Sequence, residues 1–197
     1  KIVEVLGDPM APKSISLIAI HEHGIPDHFP DNVVADAEAA KPVDLGERTD
    51  LRDLPLFTID PSDARDHDDA ICAIPDQDPK NVGGHIMWVA IADVAYYVRS
   101  NSPLDKEARK RGNSSYFPDR VVPMLPDALS GDLCSLHEGV DRACLALRIV
   151  LNADGKRLDH EFHRGLMRSP ASLSYEQAQA AVGGTYDNAT EPLKGPI

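Results

Sequence analysis

Basic residues are scarce in this sequence. Lys and Arg together number 20 against 32 Asp and Glu, which gives a formal net charge of −12 at pH 7. Proteins that bind polyanions without selectivity usually carry a basic excess, so this balance disfavours that functional class. The exclusion is weaker if the acidic residues are concentrated at one place and neutralised by a metal ion, or if basic surface lies outside the 197 residues.

Cysteine, long apolar runs and targeting signals are also scarce or missing. The three cysteines are odd in number and show no Cys-x-x-Cys spacing, which disfavours a disulfide framework and a structural zinc site. Cys72, Cys134 and Cys144 lie in apolar contexts, so we expect buried thiols and a reducing, cytoplasmic compartment. The sequence has no signal-peptide pattern and no apolar run of about 18 residues, so we expect a soluble chain with no membrane partner.

Turn-forming residues divide the chain. The polar segment "KPVDLGERTDLRDLP" predicts a domain boundary within residues 41–50, and therefore one part over residues 1–40 and a second over residues 41–197. In the first part, "KIVEVLG" and "SISLIAIH" alternate like strands, and residues 33–40 favour a short helix. The chain starts without Met and ends at "EPLKGPI", so we expect it to be a piece of a larger protein.

The second part is rich in strand patterns and carries two helix signals. The predicted strands are "LPLFTID" and "DAICAIP", followed by "HIMWVAIADVAYYV" as a strand pair or one long bent strand. Asp154-Gly155 supplies the turn of a hairpin over "CLALRIVLNADGKRLDHEFHRGLM". Ser102 and Ser174 are expected to cap two helices, the first of which ends before Gly112. Strands and helices in this order predict an α+β fold.

An acidic loop lies between the first two of these strands. The stretch "TIDPSDARDHDDA" places five aspartates within ten residues, at Asp60, Asp63, Asp66, Asp68 and Asp69. Like charges this close repel one another, and a strand–loop–strand element can direct several carboxylates to one point, as Mg²⁺ requires. An EF-hand is excluded because Gly and Glu are missing from the required loop positions. The spacing favours a divalent-metal site over a solvated acidic turn, but leaves both readings open.

Several blocks in order resemble a known family. "DLRDLPLFTIDPSDARDHDDAI" is followed by "WVAIADVAYYV", "PLDKEARKRGNSSYFP", "VVPMLP" and "LSGDLCSL". Together they resemble the catalytic RNB domain of the ribonuclease II/ribonuclease R family. The upstream "KIVEVLGD" and "SISLIAI…GIPDHFP" resemble the end of the OB-type, cold-shock-like β-barrel and the linker that precede that domain. The resemblance thus implies an α+β chain holding the N-terminal portion of an RNB domain after the end of an OB-type barrel.

The resemblance implies an activity and a set of site residues. Members of the family are hydrolytic 3′→5′ exoribonucleases that degrade single-stranded RNA to 5′-nucleoside monophosphates. Their four active-site aspartates fall on Asp60, Asp66, Asp68 and Asp69. The first, second and fourth of these are expected to ligate Mg²⁺, with two ions per site, and the third either ligates metal or orients the attacking water. Asp63 and His67 fall on positions that vary in the family, so the resemblance assigns them no role.

Candidate RNA contacts follow the acidic loop. Tyr116 in "SSYFP" resembles a family tyrosine that stacks on a base, and the alternative is a residue of the core. Lys106, Arg109 and Lys110 are spaced to share one helix face, where they either contact phosphates or form an ordinary solvated face. Single-stranded RNA is the expected partner, and no obligatory protein partner is inferred.

Two functional alternatives remain beside the exoribonuclease. One is a non-catalytic RNA-binding module of the same fold, although such a module would be expected to have lost aspartates. The other is a calcium-stabilised structural domain, which the failed EF-hand count disfavours. The family's catalytic domain is longer than the part that follows residue 50, and its missing half carries an arginine that stabilises the scissile phosphate. We therefore expect this piece alone to be weakly active or inactive.

Overall fold

The computed structural model of the chain describes residues 14–196. Its strands are β1 (Thr49–Asp50), β2 (Thr58–Asp60), β3 (Asp69–Pro75), β4 (His85–Ala92), β5 (Ser115–Phe117), β6 (Arg120–Val122), β7 (Asp141–Leu151), β8 (Arg157–Arg168) and β9 (Ser172–Ser174). Its α-helices are α1 (Ser14–Glu22), α2 (Asp31–Glu38), α3 (Val94–Tyr97), α4 (Pro103–Arg111) and α5 (Tyr175–Val182). A π-helical turn covers Ala128–Leu133, and a 3₁₀ turn covers Glu191–Leu193.

The chain forms two compact units that are not continuous in sequence. The first contains the residues up to Ala40 together with Ala95–Ser130, and the second contains Lys41–Val94 together with the chain from Gly131 onward. The predicted boundary between residues 1–40 and 41–197 remains a prediction about domains. The expected strand "KIVEVLG" lies outside the described residues.

In the first unit, the strand expected over "SISLIAIH" is wrong, because residues Ser14–Glu22 form helix α1. A short apolar run does not distinguish a strand from a helix by its pattern alone. Ser16 and Ile20, four residues apart, are both buried, as the same face of a helix requires. The Ser16 hydroxyl also donates a hydrogen bond to Asp119, a long-range contact that favours the helical arrangement.

Helices α2 and α4 of this unit agree with the sequence. Helix α2 confirms the short helix expected near residues 33–40. The Ser102 side chain caps α4 by accepting a hydrogen bond from the Asp105 backbone N–H, with an Oγ–N distance of 3.1 Å. Gly112 follows α4 with φ of 80°, a conformation that disfavours other residues and ends the helix.

The second unit is built on a five-stranded sheet with the order β1-β8-β7-β4-β3. Strand β1 is parallel to β8, and the other neighbours are antiparallel. Strands β7 and β8 form the expected hairpin, and Gly155 in its turn has φ of 74°. A separate parallel pair joins β2 to β9. The second predicted cap is confirmed as a full capping box between Ser174 and Gln177.

Small side chains form the buried centre of the large sheet. Ala90, Cys144 and Ala146 are fully covered, which allows neighbouring elements to approach the strands closely. Cys72 and Cys134 are also buried, so the expectation for all three thiols is confirmed. Burial raises the pKa of Cys72 to about 11 and the pKa of both Cys134 and Cys144 to about 12, so these thiols stay protonated near neutral pH.

The expected strand pair or bent strand over "HIMWVAIADVAYYV" is only half right. Strand β4 ends at Ala92, and helix α3 takes over at Val94. Between them the carboxylate of Asp93 is buried against two arginines. Arg48 Nη2 and Arg164 Nε each donate to Asp93 Oδ2 over 2.8 Å. The two arginines thus hold Asp93 at the point where the strand ends.

Removing this buried carboxylate tests its structural role. We expect Asp93→Asn to lower the free energy of unfolding by about 3 kcal/mol at pH 7, because Arg48 then loses its charged partner inside the protein. Urea unfolding of the chain, followed by circular dichroism, measures the difference. The exposed Asp44→Asn serves as the matched control.

The effect should also depend on pH. Burial by itself raises the pKa of Asp93, but the hydrogen bonds from Arg164 and Arg48 outweigh it and hold the pKa below 3.8. A lowered carboxyl pKa contributes stability above the pKa of the unfolded chain, and that stability is lost as pH falls through the folded-state pKa. The gap between wild type and Asp93→Asn should therefore shrink in acid. A gap that stayed constant would contradict this assignment.

Candidate functional site

The two ends of the acidic loop are fixed by strands of the second unit. Asp60 is the last residue of β2, where it lies opposite Ser174 of β9. Asp69 is the first residue of β3 and lies opposite Ile91 of β4. The apolar residues that flank the loop form these two strands. Asp60 and Asp69 therefore lie at the strand ends, on either side of the loop.

The middle of the loop is hydrogen-bonded to a distant segment. The His67 backbone N–H donates to Ser135 Oγ over 2.9 Å, and the Ser135 hydroxyl donates to the Arg65 carbonyl over 3.2 Å. The Leu136 N–H donates to the His67 carbonyl over 2.8 Å. The Asp68 carbonyl accepts from Ala92 N–H over 3.0 Å. A solvated acidic turn would leave such backbone groups to water, whereas here protein groups satisfy them.

Arg142, at the start of β7, holds this distant segment in place. Its buried guanidinium donates from Nε to the Ser135 carbonyl over 3.0 Å and from Nη2 to Asp132 Oδ1 over 2.5 Å. Sequence reasoning missed both Ser135 and Arg142. The available signal for the arginine was a charged residue within the apolar run "DRACLAL", where a buried charge requires a partner.

The four aspartates singled out by the sequence lie within electrostatic reach of one another. Burial raises the pKa of Asp68 above 3.8, and the charges of Asp66, Asp69 and Asp60 raise it further, in that order. The charges of the other three aspartates therefore add to the effect of burial on the pKa of Asp68. The arginines near this end of the sheet pair with Asp93 and Asp132.

His67 contacts the first of these aspartates directly. Its Nδ1 lies 2.7 Å from Asp60 Oδ2, and the exposed fractions of the two side chains are only 14% and 16%. The His67 ring also meets the His137 ring edge-on, with centroids 5.8 Å apart. No role was predicted for His67, because its position varies in the family that the chain resembles.

The acidic loop offers oxygen donors for a metal ion. Within residues 14–196, no group of three or more His, Cys, Asp or Glu side chains is arranged to hold a metal ion. The donor chemistry nevertheless fits a hard divalent cation, because several carboxylates repel one another and raise the pKa of Asp68. A cation at this position would relieve that repulsion.

The candidate RNA contacts belong to the first unit, whereas the aspartates belong to the second. Tyr116 on β5 has an exposed fraction of 67%, so the alternative that it is a core residue is wrong. Lys106 is exposed on α4. Arg109 pairs with Asp105 over 3.0 Å, and Lys110 lies 3.7 Å from Glu107, in each case between charged atoms. In both pairs the cation is exposed to solvent, whereas its carboxylate partner is largely covered.

Across the part of the chain that the structure describes, no helix has both the length and the apolar character needed to span a bilayer.

Comparison with known proteins gives two domain matches. An RNB domain model matches residues 48–195, and a cold shock domain model matches residues 1–30. The RNB match covers the acidic loop, the segment of Ser135 and Leu136 that is hydrogen-bonded to it, and helices α4 and α5. The cold shock match covers residues 1–13, which the structure does not describe, and residues 14–30, which include helix α1.

Individual relatives extend these matches. The chain is 47% identical over 193 residues to Ribonuclease R of Vibrio parahaemolyticus, covering 93% of this chain and 22% of that protein. It is 46% identical over 191 residues to Ribonuclease R of Escherichia coli, covering 95% of this chain and 23% of that protein. Among solved structures, Mycoplasma genitalium RNase R in complex with double-stranded RNA matches with a TM-score of 0.88 and 30% identity, covering 98% of this chain and 34% of that one.

These matches agree with the residue pattern and with the fold. The chain spans about a quarter of the length of the curated relatives it matches. The RNB model covers well over half of the chain, and the mixed α/β architecture is shared with the matched structure. The chain belongs to the RNB domain family.

Proposed function

We propose that this chain carries the catalytic carboxylates of a hydrolytic 3′→5′ exoribonuclease that degrades single-stranded RNA to 5′-nucleoside monophosphates. The observation that carries the proposal is a group of four aspartates, three of which raise the pKa of the fourth, on a loop whose backbone is fixed by protein groups. The relatives named Ribonuclease R and the RNA bound in the matched structure support the reaction and the substrate class.

The reaction requires the chain to handle a large negative charge. Hydrolysis joins a water oxygen to phosphorus and breaks the bond from phosphorus to the 3′ oxygen, which leaves with a proton. Asp60, Asp66 and Asp69 would hold two Mg²⁺ ions, which when bound supply an activated water and neutralise charge on the leaving oxygen. Asp68 either completes the ligand set or orients the attacking water. The strand ends and the Ser135 hydroxyl keep these carboxylates from moving apart.

RNA binding is assigned to the first unit. Tyr116 presents an exposed ring on a short hairpin, and an aromatic ring can stack on any base without sequence preference. Lys106, Arg109 and Lys110 offer positive charge on the exposed side of α4 to the phosphates. This local basic face supports RNA binding by a chain whose net charge is −12.

Three broader features complete the proposal. The cold shock match over residues 1–30 supports the end of an OB-type barrel before the RNB portion. The free thiols of the three cysteines support a reducing, cytoplasmic location. No obligatory protein partner is part of the proposal.

A non-catalytic RNA-binding module is the rival function. A module that no longer cleaves RNA has no need to keep repelling carboxylates together, since each one costs stability. All four aspartates are present here. This observation favours the enzyme.

The first test replaces one carboxylate. In the full-length protein, we expect Asp68→Asn to slow Mg²⁺-dependent shortening of 5′-labelled single-stranded RNA by a factor on the order of 10²–10⁴, while RNA binding is retained. The exposed neighbour Asp63→Asn should keep the wild-type rate. Gel analysis of the labelled products measures both. If Asp68→Asn cleaved as fast as wild type, the catalytic assignment would be wrong. A wild type that bound RNA without shortening it would favour the rival.

A second test measures the metal without any reaction. Mg²⁺ that binds only the folded protein should stabilise it, by about 2.7 kcal/mol when its concentration is 100 times the dissociation constant. Thermal unfolding with Mg²⁺ and with a chelator gives this increment. We expect Asp66→Asn to lose most of it and Asp63→Asn to keep it. Equal increments in the two variants would argue against metal binding by Asp66.

A third test addresses the exposed tyrosine. We expect Tyr116→Ala to weaken binding of single-stranded RNA by about 1–3 kcal/mol, the usual value of one base stacked on an aromatic ring. Tyr116→Phe retains the ring and should bind like wild type. Val121, directly opposite on β6, provides the control Val121→Ala. Fluorescence anisotropy with labelled RNA measures binding. Equal losses in Tyr116→Ala and Val121→Ala would indicate a disturbed hairpin instead of a lost stack.

A further inference from the structure

His67 is placed to control the carboxylate of Asp60. Its Nδ1 lies 2.7 Å from Asp60 Oδ2, a short distance for a nitrogen–oxygen hydrogen bond. An ionised carboxylate can only accept hydrogen bonds, so Nδ1 carries the hydrogen and donates it. Both side chains are largely shielded from water, which strengthens the bond and limits competition from solvent.

The ring of His67 is confined by its fixed backbone together with two neighbouring side chains. The N–H and the carbonyl of this residue bond to two consecutive residues of the distant segment, Ser135 and Leu136. The Thr58 hydroxyl lies 3.5 Å from Nδ1, and the His137 ring meets the imidazole at its edge. The imidazole therefore has little freedom to follow Asp60, and the carboxylate must follow the imidazole.

The strand alone does not fix the Asp60 carboxylate. Pairing of β2 with β9 holds the Asp60 backbone, but the side chain still rotates about its own two torsions. The hydrogen bond from His67 selects one orientation and engages one carboxylate oxygen, Oδ2. A carboxylate has two oxygens, so Oδ1 can still accept a cation. Groups that hold metal-ligating carboxylates in this way commonly strengthen metal binding.

We infer that His67 is a positioning residue that orients the Asp60 carboxylate for Mg²⁺ and connects it to the segment held by Arg142. The inference rests on the proposed function, because it takes Asp60 to be a metal ligand. The link runs from Arg142 to the Ser135 backbone, from Ser135 Oγ to the His67 backbone, and from the imidazole to Asp60. Replacement of the side chain cuts only the last step, since the backbone contacts remain.

Two replacements at position 67 separate hydrogen bonding from packing. His67→Phe keeps a ring of similar size and removes the donor, whereas His67→Asn places an amide N–H near the position of Nδ1. The control His160→Phe makes the same chemical change at an exposed histidine of β8. Mg²⁺ alone is titrated into each full-length variant at one fixed pH by isothermal titration calorimetry, and circular dichroism checks the fold. Asp60→Asn is measured in parallel.

We expect His67→Phe to bind Mg²⁺ at least about tenfold more weakly than wild type. His67→Asn should recover most of the affinity, and His160→Phe should match wild type. In RNA cleavage, the rate of His67→Phe should be restored by high Mg²⁺ with KM for RNA unchanged, which a general packing defect would not allow.

Other outcomes overturn the inference in distinguishable ways. If Asp60→Asn abolishes Mg²⁺ binding while His67→Phe binds like wild type, the positioning role is wrong and the proposed function stands. If His67→Phe and His67→Asn are weakened equally, the hydrogen bond is not the cause, and the role is again wrong. If Asp60→Asn binds Mg²⁺ like wild type, both the inference and the metal-ligand role of Asp60 fail.

Discussion

Repulsion among carboxylates is the constraint around which the second unit is organised. Four aspartates lie close enough for three of them to raise the pKa of the fourth, Asp68. Arg48 and Arg164 pair with Asp93, and Arg142 pairs with Asp132. Backbone hydrogen bonds and strand pairing hold the acidic loop in place.

The backbone holds the loop from three directions. Strand β2 fixes its entry, strand β3 fixes its exit, and the Ser135 hydroxyl and Leu136 N–H fix its middle. Each contact is individually modest, because a hydrogen bond in a folded protein contributes on the order of 1 kcal/mol. Because these hydrogen bonds involve neighbouring residues of the loop, the loop cannot open at one residue without breaking several of them. Rigid placement of this kind is what a group of metal-binding carboxylates requires.

The parts that the sequence predicted are those set by neighbours along the chain. The caps at Ser102 and Ser174 and the turn at Gly155 depend on residues within a few positions, and all three are present. The aspartate spacing is local too, so the pattern alone singled out the loop. Helix α1 was missed because a short apolar run fits two structures equally well.

The remaining features depend on contacts between distant residues. His67 and Ser135 are 68 positions apart, and Asp93 and Arg164 are 71 positions apart. No spacing rule connects such pairs. The hydrogen bonds that hold the loop and the ion pairs at the end of β4 could therefore not be predicted from the sequence. The role of His67 was hidden for a different reason: family resemblance weighs what relatives share, and this imidazole occupies a position where they differ.

Cys134 lies next to the segment of Ser135 and Leu136 that is hydrogen-bonded to the acidic loop, so its reactivity can report on that segment. Its thiol is buried directly before Ser135, and its pKa of about 12 leaves almost no thiolate in the closed protein. A thiol in this state reacts with alkylating reagents only during transient opening of the surrounding structure. The rate at which Cys134 is alkylated therefore reports how often this segment opens transiently. Because the segment is hydrogen-bonded to the acidic loop, the same rate reports how often those hydrogen bonds break.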